Sequence, residues 1–339
     1  MPREGEHGQL QPTLQPGSQC TQPKRQREES QIESDENQNA RKLRKKAPID
    51  YRHLNDPFPE EEDLDESYNT YAATIYQAML GPDDPSSLTE AKNFNNWPEW
   101  KKAIQAELEQ LTEFGTWILV ECPKDAIPIP NKWVFRKKYN KEGELTKYKA
   151  RLVVKGFAQR PGFDYTDTFA PVVHLETIRA ILAIVPSQKL VIRQMDVKGA
   201  YLNGILKEKV YMCQPEGFND GTNHVCWLQK TLYSLKQSGR EWNKELDHRL
   251  KEKGFNNLRS DPCAYIRRDG DEIEIVTVWV DDLLLFATNN KVMRHLGDDL
   301  KSTFDVTDLG KPTKIVGIEI TCRQDSVTIS QPAYIDSIL

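Results

Sequence analysis

The stretch VTVWVDDLLLFA, residues 276–287, constrains the fold more than any other part of the chain. Apolar and β-branched residues flank two adjacent aspartates. The pattern reads as two strands closed by a tight hairpin with Asp281 and Asp282 at its tip. Runs that are apolar throughout, rather than alternating, belong to strands covered on both faces. A solvated turn is the ordinary reading of an Asp pair. The apolar flanks weigh against it, as does the lack of the Gly or Asn that two-residue hairpin turns favour.

The segment RQMDVKGAYLNG sets Asp196 at the end of another apolar strand, ahead of a turn of small residues. Alone, such an Asp is most simply a helix N-cap. At one sheet edge, however, the three carboxylates would repel, by about 4 kcal/mol for two charges ~4 Å apart at an effective dielectric of about 20. Such a cluster calls for a cation. Carboxylate oxygens suit Mg²⁺, which keeps waters and takes substrate phosphates as further ligands. Two Mg²⁺ ions roughly 4 Å apart can activate an attacking hydroxyl and stabilise a leaving pyrophosphate. Residues 132–155 carry the opposite charge: nine Lys or Arg against Glu142 and Glu144, a net of +7 in a chain of −5. Trp133, Phe135, Tyr139, Tyr148 and Phe157 are interleaved with them. A β-hairpin of this make-up is either merely solvated or a holder of triphosphate or nucleic-acid backbone.

An apolar fraction of 38% is below the usual globular level, so part of the 339 residues is expected not to fold. Residues 1–92 are the expected tail, rich in Gln, Pro, Ser, Glu and Asn. Basic clusters at Lys24, Arg25, Arg27 and at 41–46, and an acidic run at 59–66, fit a solvated linker, a nuclear-import signal or a nucleic-acid arm. The ordered domain is expected over 93–339. Its first helix, within 95–115, puts Trp100, Ile104, Leu108 and Leu111 on one face, with Asn96 as N-cap and Gly115 as stop. LETIRAILAIV reads as a helix stopped by Pro186, and helices follow near 240–254 and 291–304. Strands alternate with them, mostly in hairpins, which predicts an α+β fold with a split-βαβ core. No apolar run approaches the roughly 20 residues that span a bilayer, and no secretory leader is visible. Six scattered cysteines fit free thiols in a reducing interior.

Ten blocks, in order, resemble the reverse transcriptase domain of copia-type LTR-retrotransposon Pol polyproteins. They are NKWVFRKKYN, YKARLVVKGFAQ, GFDYTDTFAPVV, ETIRAILA, QMDVKGAYLNG, VYMCQPEGF, LYSLKQSGREW, WVDDLLLF, DLGKPTKIVGIEI and SQPAYIDSIL, and they run from the region of Trp117 to the C-terminus. The resemblance implies a right-hand polymerase with fingers and a ferredoxin-like palm. It implies RNA-directed DNA polymerase activity by two-metal transfer onto a primer 3′-hydroxyl, with Mg²⁺ and with Mn²⁺ as a substitute. Its partners would be an RNA or DNA template with primer, and dNTPs, with no membrane. Its location would be the cytoplasm, in a virus-like particle, and the nucleus where the basic clusters act as an import signal. The chain is expected to stop before the thumb, connection and RNase H regions.

By the same resemblance Asp196, Asp281 and Asp282 are the catalytic carboxylates, and the Val197 carbonyl is a further metal contact. Asp281 is expected to ligate directly with Asp196, and Asp282 to help electrostatically. Arg151 and Lys138, with Arg136 as the rival of Lys138, would neutralise the triphosphate. Tyr201 would pack under the sugar and favour dNTPs, Gln237 would lie near nucleotide and template, and Gly317 would belong to the primer grip. The chain departs from the family pattern at Trp279 (usually Tyr), Ser234 (usually Gly), Gly239 (usually Pro) and in IVGIEI. Ser234, Gly239 and the early stop favour the alternative of a catalytically inactive relic that at most binds nucleic acid, whereas the intact trio Asp196, Asp281 and Asp282 favours the polymerase.

Overall fold

The computed structural model describes residues 84–338 apart from 141 and 324. The basic clusters, the acidic run and most of the expected tail lie outside the described residues. Order nevertheless begins before residue 93. Helix α1 (Leu88–Asn93) is capped by the Ser87 side chain and buries Leu88 and Ala91. Asp84 accepts from the Lys137 backbone N–H at 2.9 Å. The boundary expected at 92 therefore falls inside a packed helix.

Helix α2 (Trp97–Glu113) follows, with Pro98 in its first turn. Trp100, Ile104 and Leu111 are buried as their helical spacing predicts, but so is Glu107. Gly115 ends the segment at φ +60°, where glycine carries no Cβ penalty. Strands β1 (Trp117–Glu121), β2 (Asn131–Tyr139) and β3 (Leu145–Val154) come next. The β2–β3 hairpin packs one face on α2. Trp133, Phe135, Ala150 and Leu152 are buried there, in one core cluster with Trp100, Ile104 and Leu111.

Helix α3 (Leu175–Gln188) does not stop at Pro186. Proline removes a backbone donor only at its own position, and here it lies in the last turn, where the helix runs on to a left-handed Lys189 at φ +50°. Strand β4 (Val191–Val197) leads into a 3₁₀ turn, Ala200–Asn203. Short strands β5 (Tyr211–Met212) and β6 (His224–Leu228) join β1 in the order β1-β6-β5. Helix α4 (Ser238–Glu252) is followed by β7 (Asn256–Leu258), β8 (Asp261–Asp269), β9 (Glu272–Trp279) and β10 (Asp282–Ala287). Helix α5 (Asn290–Lys301) and β11 (Val306–Gly310) come after them. Strands β12 (Lys314–Ile315), β13 (Ile318–Cys322) and β14 (Val327–Ser330) and helix α6 (Pro332–Ile338) complete the fold.

The main sheet is antiparallel throughout, in the order β11-β4-β10-β9-β8-β7. Residues Leu283 to Ala287 are all buried. Successive strand side chains point to opposite faces, so both faces of β10 are covered, as its unbroken apolar run implies. Residues of α3, α4 and α5 share this core. The result is a mixed helix-and-strand fold whose longest buried strands end at the aspartates. Among the described residues the cysteines are free thiols. No described helix is long and apolar enough to cross a membrane.

Candidate active site

The register of the sheet brings the three aspartates together. Asp282 opens β10 and pairs with Trp279 on one side and with Asp196 on the other. Residues directly opposite on antiparallel strands share a face, with Cβ atoms about 4.5–5.5 Å apart. The turn itself is Val280-Asp281, so the tip holds one aspartate rather than two. Val280 sits at φ +57°, which is costly for a β-branched residue. The Asp281 carbonyl accepts from the Val197 N–H at 2.8 Å, tying the turn to the end of β4.

The carboxylates are not equivalent. Gln194, two residues before Asp196 on β4, donates its Nε2 to Asp282 Oδ1 at 3.0 Å. The carboxylates of Asp196 and Asp281 make no hydrogen bond among the described residues, and Asp281 is exposed. Burial raises the Asp196 pKa above its ordinary value, and the charges of Asp281 and Asp282 raise it further. Burial also raises Asp282, against the Gln194 hydrogen bond. Three carboxylates brought to one sheet end offer hard oxygen donors, a set that fits Mg²⁺. As the side chains stand, no three His, Cys, Asp or Glu among the described residues are gathered closely enough to hold an ion together.

The basic hairpin faces this acid cluster electrostatically. Its pairing sets Arg136 against Lys149 and Lys138 against Lys147. With Arg151, these residues lie on the face opposite the buried Trp133, Phe135 and Leu152. Lys149 and Arg151 both act to lower the Asp196 pKa. Burial holds Lys149 below its ordinary value, and neighbouring Arg151 adds to this. Sequence reading counted Lys149 in the basic stretch but assigned it no role. Its signal was the two-residue spacing to Arg151 on one strand face.

The other expected residues divide. The Arg151 guanidinium lies over the Tyr233 ring at 5.1 Å, and its Nε is buried without a hydrogen-bond partner among the described residues. Lys138 is exposed, whereas Arg136 pairs with Asp84 at 3.4 Å. Tyr201 is half-buried in the 3₁₀ turn, its hydroxyl pKa raised by burial and by Asp281, and its ring meets Tyr233 edge-on at 6.2 Å. Gln237 is buried and committed at both ends of its amide. It donates to the Asp164 carbonyl at 2.8 Å and accepts from Gln159 Nε2 at 2.9 Å, so it braces the 159–164 loop. Gly317 lies at φ +76° in the turn between β12 and β13, behind Val316 at φ +48°. That is the double left-handed geometry of a type I′ hairpin.

The departures have local consequences. Ser234 sits at φ +70°, in the left-handed region where glycine is at ease. A Cβ on Gly156 would come within 2.0 Å of the Ser234 carbonyl oxygen, so the two backbones cross closely. A Cβ at Gly239 would lie 3.0 Å from Ala170 Cβ.

Comparison with known proteins identifies the family. Residues 114–339 match the family model described as reverse transcriptase (RNA-dependent DNA polymerase). The chain is 40% identical over 274 residues to the Retrovirus-related Pol polyprotein from transposon TNT 1-94 of Nicotiana tabacum, covering 79% of this chain and 21% of the relative. It is 39% identical over 243 residues to the Retrovirus-related Pol polyprotein from transposon RE1 of Arabidopsis thaliana, covering 71% and 17%. The chain thus spans about a fifth of the length of the curated relatives it matches. A solved telomerase from Candida tropicalis is similar only at 10% identity and a TM-score of 0.35, over 68% of this chain and 60% of that one, which is too distant to argue from. The family match over residues 114–339 and the plant relatives establish that the chain belongs to the reverse transcriptase (RNA-dependent DNA polymerase) family, in the branch carried by copia-type retrotransposon Pol polyproteins.

Proposed function

We propose that this chain is a template-directed DNA polymerase module that copies RNA or DNA by extending a primer 3′-hydroxyl with dNTPs. The observation that carries this reading is the meeting of Asp196, Asp281 and Asp282 at one sheet end, opposite a hairpin face that carries Lys149 and Arg151. In this reading β4, β9, β10 and β11 are the palm. Their order β11-β4-β10-β9, with α4 between β4 and β9 and α5 between β10 and β11, supports a split-βαβ core. The β2–β3 hairpin is the fingers.

Asp196 and Asp281, with the Val197 carbonyl, would hold Mg²⁺. Asp282, directly opposite Asp196 and so on its face rather than turned away from it, is restrained by Gln194 and adds negative charge beside them. Bound there, two such ions supply activation of the primer hydroxyl and stabilisation of the leaving pyrophosphate. Arg151 and Lys149, with Lys138 at the exposed end, neutralise the triphosphate. The spare buried Nε donor of Arg151 favours a nearby anion, and such an anion would offset the burial and the Arg151 charge that disfavour the Lys149 ammonium. Tyr201 lies under the sugar and discriminates against a 2′-hydroxyl. Gly317 belongs to a primer-contacting turn. Gln237 acts through the 159–164 loop rather than by direct contact. The module works inside the cell, in a particle assembled from the longer polyprotein.

Primer extension on an RNA template with Mg²⁺, repeated with Mn²⁺ and with Asp281→Asn, tests the reading. Extension that disappears in the variant supports it. A folded protein that binds primer–template without extending it supports the relic reading instead, which the left-handed Ser234 favours. Ser234→Gly then separates a decayed site from one that never acted as a polymerase.

A further inference from the structure

We propose that Trp242 is a positioning residue for the paired aspartates, an inference that rests on the polymerase reading. Its indole Nε1–H donates to the Val280 carbonyl at 2.8 Å. Val280 is the turn residue immediately before Asp281, and its φ of +57° is a conformation that a β-branched side chain resists. Left alone, a valine turn would relax towards negative φ and swing the Asp281 peptide with it.

Two bonds from outside the hairpin oppose that relaxation. Trp242 on α4 holds the Val280 carbonyl, and the Val197 N–H on β4 holds the Asp281 carbonyl. Both turn peptides are thereby oriented, and the direction of the Asp281 side chain follows from them. Trp242 is itself fixed. It is 2% exposed, and its ring meets Phe304 edge-on at 5.3 Å. A Cβ on Gly204, just after the 3₁₀ turn that carries Tyr201, would come within 2.9 Å of the Trp242 backbone nitrogen. The same residue thus joins the carboxylate turn to the segment under the proposed sugar site. A glycine in the turn would need no such restraint; the valine does.

The test pairs Trp242→Phe, which keeps a ring and removes the donor, with Val280→Gly, which accepts left-handed backbone freely. Hydrogen exchange of the Val197 amide reports the Asp281 bond whether or not the chain polymerises. One lost hydrogen bond should speed that exchange about tenfold in Trp242→Phe, and adding Val280→Gly should restore it. In primer extension the same variant should lose kcat with the dNTP KM unchanged, and the double variant should recover it. Unchanged Val197 exchange, or loss without rescue, overturns the proposal. A fall in melting temperature with kcat intact below it also overturns it, since Trp242 is then only structural. If Trp242→Phe does not fold, exchange of the Trp242 indole proton in the unaltered protein decides. Protection together with the Val197 amide is expected, and exchange at the rate of an exposed indole overturns the proposal. Failure of the unaltered chain to extend any primer would count against the polymerase reading and leave the exchange test standing.

Discussion

The hairpin that carries the paired aspartates and the hairpin that carries the cations differ in how they are held. The β9–β10 hairpin is covered on both faces and closed by a two-residue turn whose carbonyls are both hydrogen-bonded from outside. The β2–β3 hairpin is covered on one face and, on the other, covered only toward its base, where Val153 is buried. It presents Arg136, Lys138, Lys147, Lys149 and Arg151 on that other face, with exposure rising toward its tip. A site that must hold carboxylates against their own repulsion needs a stiff mount. A site that must receive and release a polyanion is better served by cations on long side chains at an open face.

The contrast can be broken experimentally, beginning with the stiff side. Asp196→Asn should lower primer extension more than about 100-fold, because it removes a metal-holding carboxylate, and Asp282→Asn should cost less because Gln194 already engages that group. Steady-state extension assays would rank the two; equal losses would deny the asymmetry. On the open side, Arg151→Ala should act mainly on the dNTP KM, lowering kcat/KM by roughly 10–100-fold through a lost charge-assisted contact. Nucleotide titrations check this, and a pure kcat effect would place Arg151 with the aspartates instead.

Behind the basic face, burial pushes Glu107 up to about 7 from its ordinary 4.5, with the Leu152 N–H as its partner at 3.3 Å. Between those values only the folded state keeps the proton, so this group makes stability fall as pH rises across the window. Glu107→Gln should flatten that part of a urea-denaturation pH profile, and an unchanged slope would show that Glu107 ionises freely. The smallest effect is expected at Ser234. Glycine there should stabilise the fold by about 1 kcal/mol, read from the denaturation midpoint, since it removes a left-handed non-glycine residue.

What could be read in advance follows the same division. Strands β9 and β10 are legible because their apolar runs have few alternatives to a doubly covered strand, whereas β4, broken by Arg193 and Gln194, is legible through the motif that carries Asp196. Strand β11, beside β4, was not expected: VTDLG is an edge segment with alternate residues exposed, and it carries no apolar run. Pro186 misled because its position in the last turn, not its presence, decides whether a helix goes on. Glu107 occupies an apolar helix face where periodicity alone would not put a carboxylate. The aspartates were legible as a cluster through motif order. That the tip is Val280-Asp281, and that Asp282 stands opposite Asp196, depends on a register that no local pattern encodes. Gln237 reads as a site residue, yet its bonds run to Gln159 and Asp164, far away along the chain, and the bond from Trp242 to Val280 is equally remote.

The most direct test is single-nucleotide incorporation opposite a templating RNA base, with enzyme in excess over primer–template. The account predicts that the unaltered chain adds the complementary dNTP only when Mg²⁺ or Mn²⁺ is supplied, and that Asp281→Asn adds none while still folding and binding the duplex. Incorporation by Asp281→Asn at the unaltered rate would contradict it, because the carboxylate at the hairpin tip would then have no part in the chemistry.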